Sequence, residues 1–153
     1  MHDLHTSRSG LVMSDYLFTL GQIDGRLRAL VVTVKRWAAA AGLTNPTPGR
    51  WISNFTLTIL VVYFMQHKKL LPPLNKVKRN IGELKQEVQQ NRPQTDLQSL
   101  LLEFFEFYST FPYKTQAISV IEAVSYSKPD YSSLYIENPV ETELNVSKYG
   151  LHN

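Results

Sequence analysis

The stretch Leu27-Arg28-Ala29-Leu30-Val31-Val32-Thr33-Val34-Lys35-Arg36-Trp37-Ala38-Ala39-Ala40-Ala41-Gly42 decides the fold. Its apolar residues Leu27, Leu30, Val31, Val34, Ala38 and Ala41 recur at intervals of three, four and seven, the mark of one buried helical face rather than the alternation of a strand. The spacing predicts a buried helix within residues 15–41, stopped by Gly42. A turn follows at Asn45-Pro46-Thr47-Pro48-Gly49, where two prolines bar helix continuation. Beyond it Ser53 or Asn54 is placed to cap a second helix through Leu57, Leu60, Val61 and Phe64. The basic cluster His67-Lys68-Lys69 suits that helix's negative end, and Pro72-Pro73 closes it.

Residues 75–94 shift to lysine, glutamine and asparagine, and read as a solvated excursion ended at Pro93. Asp96 then looks like an N-cap for a third helix with a wide apolar face: Leu97, Leu100, Leu101, Phe104, Phe105 and Tyr108. Past Pro112 the pattern is mixed, with a short strand expected over 117–121, loop over 125–133, and Tyr135-Ile136 leading into Asn138-Pro139. No internal repeat is visible. The expected fold class is mainly α, a helical domain with a few short strands.

At 153 residues, 43% apolar and 11% aromatic, the chain fits one domain with a real core. The absence of cysteine excludes disulfides and thiolate metal sites, and His2, His5, His67 and His152 show no ligand spacing. A net charge of +3 permits a polyanionic partner without demanding one. The longest apolar run, around Ile59 to Met65, falls short of the roughly 20 residues that span a bilayer, so no membrane is expected. The first residues carry neither an apolar nor an arginine-rich targeting pattern.

The residues alone yield candidates without a reaction. Asp3 is a single carboxylate with no second aspartate nearby, and phosphoryl transfer on two metal ions needs several converging carboxylates. Lys35 either snorkels to solvent or meets an anion. Phe55, at a helix start where free N–H groups favour phosphate, either packs in the core or stacks on a base.

The run Ile23 to Ala38, the segment Pro48-Gly49-Arg50-Trp51-Ile52-Ser53-Asn54-Phe55-Thr56-Leu57-Thr58, and the ending Leu134 to Lys148 resemble the central PAP-associated domain of mitochondrial poly(A) polymerases. These belong to the poly(A) polymerase and terminal uridylyltransferase family. The resemblance covers nearly the whole chain, 75–94 least. It implies residues 13–153 as the nucleotide-binding central domain and residues 1–12 as a remnant of the last strand of a palm domain that is otherwise missing. It further implies ATP and an RNA 3′ end in the cleft between palm and central domain, Mg2+ or Mn2+ held with the complete palm, and a mitochondrial location.

Carried over by position, Asp3 matches the third catalytic, metal-binding carboxylate, and Lys35 the basic residue on the triphosphate. Asn54, with Ser53 before it, matches the small polar position beside the triphosphate. Phe55 matches the aromatic that stacks on the base, and Asn138 and Glu141 belong to the segment that closes over it. Four positions depart from the pattern. Ala39 stands where a second basic residue is usual, Met13 where a polar residue nears the ribose, and Val140 where the family has phenylalanine. Leu144 replaces the histidine of uridylyl-adding relatives, which favours ATP. The implied activity is adenylyl addition to RNA 3′ ends, with this stretch inactive without a palm. The alternative is a palm-less module that binds RNA or pairs with another polymerase subunit, a second copy included.

Overall fold

The computed structural model describes residues 4–44, 52–77, 82–83, 86, 94–142 and 144–147. Among the described residues, the helices α1 (Leu4–Ile23), α2 (Arg26–Ala40), α3 (Asn54–His67) and α4 (Leu97–Ser109) are followed by a hairpin of β1 (Gln116–Ser119) and β2 (Val124–Ser127). Helix α3 is apolar around its whole circumference and buried from Thr56 to Gln66, as a central helix must be. Helix α2 packs on α1, α3 and α4, and α3 also packs on α4. Leu27, Leu30, Val34 and Ala38 of α2 all face the core, as their spacing predicts. Edge-on rings, Phe64 against Phe104 at 5.7 Å, lock α3 to α4.

Helix ends follow the local chemistry. Gly42 at φ 76° ends α2, with Leu43 N–H bonded to Ala38 O at 2.8 Å and Gly42 N–H to Ala39 O at 3.1 Å, which satisfies two of the last carbonyls. Lys69, at φ 63°, closes α3 the same way, with Leu70 N–H on Met65 O at 2.9 Å. Asp96 caps α4 by accepting from Ser99 N–H at 2.7 Å, and that bond holds its carboxyl below the usual range.

Three expectations are corrected. The helix predicted within 15–41 is two helices, broken at Asp24 and Gly25. Asp24 turns its carboxylate back on Arg26, accepting from its backbone N–H at 3.0 Å, and so starts a new helix. The strand expected over 1–12 is helix from Leu4 onward, because the 3, 4 spacing of Met13, Tyr16, Leu17, Leu20 and Ile23 belongs to one long element that extends back through it. The loop expected over 125–133 begins with β2, whose Tyr126 opposes Ala117. Its Val124 and Tyr126 alternate with Ser125 and Ser127, a strand pattern only four residues long. The excursion's first residues are also fixed: Asn75 lies in a short 3-10 turn and donates to Ile121 O at 3.1 Å. The rest of 75–94 falls largely outside the described residues. Among the described residues, no helix is long and apolar enough to cross a membrane.

Candidate nucleotide site

The first turn of α3 is built for an anion. Ser53, extended at φ −75° and ψ 155°, accepts from Thr56 N–H at 3.0 Å, and its hydroxyl donates to Thr56 Oγ1 at 3.0 Å. The N–H groups of Asn54 and Phe55 have no acceptor among the described residues, as expected for the first positions of a helix. Two free donors at the positive end of a helix favour a phosphate or carboxylate. Asn54 is exposed, and Phe55 is half-buried with its ring against the core, so the face it leaves open is fixed in orientation.

Ile52 N–H donates to Leu43 O at 3.1 Å and so holds the start of α3 against the end of α2. Lys35 lies about two turns back from that end, half-exposed, beside the buried Val34 and Ala38 that fix the rotation of its helix. It makes no ion pair with a described residue. Ala39, one turn on, is exposed and offers no charge. Met13 is 1% exposed and packs in the core rather than facing solvent.

Replacing Ser53 by alanine should therefore lower stability by about 1 kcal/mol, read from urea unfolding. Ser53→Asp keeps the cap and places a negative charge at the anion position. It should unfold like the parent yet lose binding of a phosphate probe, and a phosphate affinity equal to the parent's would count against an anion site here.

The segment 134–147 packs onto β1 and buries Ile136 and Val146 in the common core. Ile136 bridges Ile118 of β1 in parallel, and Glu137 bridges Asn145. Asn138 is 8% exposed, and its Oδ1 accepts from Val140 N–H at 2.8 Å and Glu141 N–H at 3.1 Å, while its own N–H donates to Leu144 O at 2.9 Å. The Asn138 carbonyl thus shapes the turn and is not free for a ligand. Glu141 and Val140 are half-exposed on it. Glu137 accepts from Ser119 Oγ at 2.9 Å and from Tyr126. Burial first, then the charge of Glu137, pushes the Tyr126 hydroxyl well above its usual range.

Asn145, a residue the sequence reading leaves unmarked, holds this segment together. It is 4% exposed and its Oδ1 accepts from Ile136 N–H and Ser147 N–H, both at 3.0 Å. Its amide donates to Leu134 O at 2.8 Å. Only its place beside Asn-Pro in a turn-rich stretch hinted at such a role. The anchors of the segment run to β1 and from there to the far end of α3, where Gln66 donates to Val120 O at 2.9 Å. No hydrogen bond among the described residues joins Asn138 to Lys35 or to the first turn of α3. The structure thus ties Ile52, just ahead of Ser53, Asn54 and Phe55, to Leu43 past the end of α2, the helix that carries Lys35, and holds Asn138 and Glu141 in a turn anchored on β1.

Asp3 lies outside the described residues. Among those described, no group of three His, Asp or Glu is placed to hold a metal ion.

A sequence model of the Cid1 family of poly(A) polymerases matches residues 96–144, which hold α4, the hairpin and the Asn138 turn. The mitochondrial poly(A) RNA polymerase of Drosophila melanogaster is 43% identical over 162 aligned residues, covering 92% of this chain and 26% of the relative. The human enzyme of the same name is 37% identical, covering 95% of this chain and 28% of its own length. A crystal structure of an mtPAP mutant in complex with ATPγS superimposes with a TM-score of 0.78 at 31% identity, over 89% of this chain and 33% of that one. The chain spans about a quarter to a third of the length of these relatives.

Proposed function

We propose that this chain, which is similar to mitochondrial poly(A) RNA polymerases and matches the Cid1 family model over residues 96–144, forms the nucleotide-contacting side of a template-independent RNA nucleotidyltransferase that adds AMP from ATP to RNA 3′ ends in mitochondria. The observation that carries this reading is the capped start of α3: two free N–H donors with Phe55 beside them and Lys35 on the adjoining helix. The free donors and the Lys35 ammonium attract the triphosphate, and the face of Phe55 stacks on the base. The likeness to a structure holding ATPγS supports the ligand class.

The chemistry of transfer needs more than these residues supply. An Asp-x-Asp pair occurs nowhere in the 153 residues, and Asp3 stands alone as the match to the third carboxylate. With palm carboxylates present, Asp3 would help to hold a divalent metal that activates the attacking 3′-hydroxyl. In the complete cleft the turn at Asn138 and Glu141 would close over the base, where Leu144, half-buried in that turn, offers no polar group to uracil.

Two measurements test the reading on this chain. Calorimetric titration should give weak ATP binding that Lys35→Ala reduces, and Phe55→Ala should weaken it by about 1–3 kcal/mol, the value of one stacked base. Unchanged affinity in both variants, with folding verified by circular dichroism, would remove the pocket. Primer extension with ATP and Mg2+ should give no tails from the 153 residues alone, and tails would overturn the need for a palm.

A further inference from the structure

The outer face of α2 carries charge beyond the Lys35 that the nucleotide site uses. Opposite the buried stripe stand Arg28, Val32, Lys35, Arg36 and Ala39, with Arg28, Val32, Arg36 and Ala39 exposed. Arg28, Lys35 and Arg36 make no ion pair with a described residue. Three cations spread over about 12 Å of one helix face repel one another, so folding alone gives no reason for the arrangement.

Beside them α1 offers an aromatic. Phe18 is 57% exposed, and the guanidinium carbon of Arg28 lies 5.7 Å from its ring centroid. The Arg28 side chain reaches it by lying across Gly21, where an added Cβ would come within 3.1 Å of its Nε. A cation held over an exposed ring contributes only about 0.5–1 kcal/mol to folding, and it leaves a large apolar ring in water. As a surface for a planar base beside a phosphate, the same pair is already organised. Asp15, exposed one turn before Phe18, bounds the patch with negative charge.

We propose that the joined faces of α1 and α2 bind single-stranded RNA, with Phe18 and Arg28 as a platform for one base and Arg28 and Arg36 as phosphate contacts. Charge complementarity sets the occupant as a polyanion, and the exposed ring selects one with planar bases over an acidic protein or a lipid surface. The track leads along α2 to Lys35, and so delivers the strand towards the nucleotide site. The choice of RNA as polyanion rests on the proposed function, whereas the surface stands on exposure and charge.

Fluorescence anisotropy of the full chain with a labelled single-stranded oligo(A) RNA, titrated from about 50 to about 200 mM salt, tests it. Phe18→Ala should weaken binding about 5- to 150-fold, the loss of one stacked base, while Phe18→Trp restores it. Arg28→Gln and Arg36→Gln should each flatten the slope of log K against log salt by about 0.7. All four variants should melt within about 4 °C of the parent, the most that the lost cation–ring contact accounts for, and keep its ATP affinity, since none touches the start of α3. A parent chain without measurable RNA binding at low salt, variants that bind like the parent, or equal affinity for polyglutamate or anionic vesicles would each overturn the track. RNA binding with the expected losses but no ATP binding would instead sink the nucleotide site and leave the track standing.

Discussion

Arg26→Ala should destabilise the chain by about 3 kcal/mol, lowering its melting temperature by about 6–12 °C. Asp24 is buried at 1% exposure, and its two carboxylate oxygens accept from Arg26 Nε at 3.0 Å and Nη2 at 2.7 Å. The remaining arm, Nη1, donates to Thr95 O at 2.6 Å, just ahead of α4. One guanidinium therefore fastens the α1–α2 turn to the start of α4, and its bond to Asp24 chiefly raises its own pKa, so it stays charged throughout. Removing it takes this bidentate cation from a carboxylate in the interior, which is more damaging than losing the pair together. The figure sits at the low end for a buried pair because the Arg26 side chain keeps 18% of its exposure and water screens it. Arg26→Lys should recover only part, since an ammonium cannot serve two carboxylate oxygens and a distant carbonyl in fixed directions. The double variant with Asp24→Ala should be less damaged than the two single losses added together. Urea unfolding of the four proteins decides it, and an Arg26→Ala chain within about 0.5 kcal/mol of the parent would show that the clamp is ornamental.

What the sequence made legible was whatever a short window determines. The four-residue rhythm of Leu27, Leu30, Val34 and Ala38, the stop at Gly42, and the caps at Ser53 and Asp96 are each set by local sterics or by one side chain reaching its own backbone. The break at Asp24 was hidden because its cause is an ion pair: the apolar period runs through Ile23 and Leu27 on both sides of it, and only the Arg26 fork shows why the chain turns. Strand β2 was hidden for a related reason. Its Val-Ser-Tyr-Ser alternation is only four residues long and mostly exposed, so it is the backbone register with β1 that identifies it.

The same division holds at the site. Ser53 and Phe55 could be placed from a helix start, whereas the work of Asn138 could not. Its type suits a base contact, yet its carbonyl closes its own turn. Met13 likewise fits a cleft position by alignment and a core position by burial, and the burial decides.

Asn145→Ala should produce the second large effect, and a local one. Its Oδ1 is the acceptor for the N–H groups of Ile136, fully buried, and Ser147, 4% exposed, and alanine leaves both without it. Each orphaned buried donor costs about 1–3 kcal/mol, so the segment 134–147 stands to lose about 2–6 kcal/mol. The helices share less of that loss, because among the described residues the backbone bonds that leave the segment run to β1, although Ile136 and Val146 also pack in the common core. Hydrogen exchange should therefore speed at amides 134–147 while α3 stays protected, a sub-global opening rather than unfolding. Nucleotide binding separates two roles for that segment. If the Asn138 turn closes over the base, Asn145→Ala weakens ATP binding although no ligand contact has been removed, and Phe55→Ala adds little further loss once the base is no longer covered. If ATP affinity is unchanged while exchange at 134–147 rises, the turn is a structural flap and the base is held by the α3 side alone.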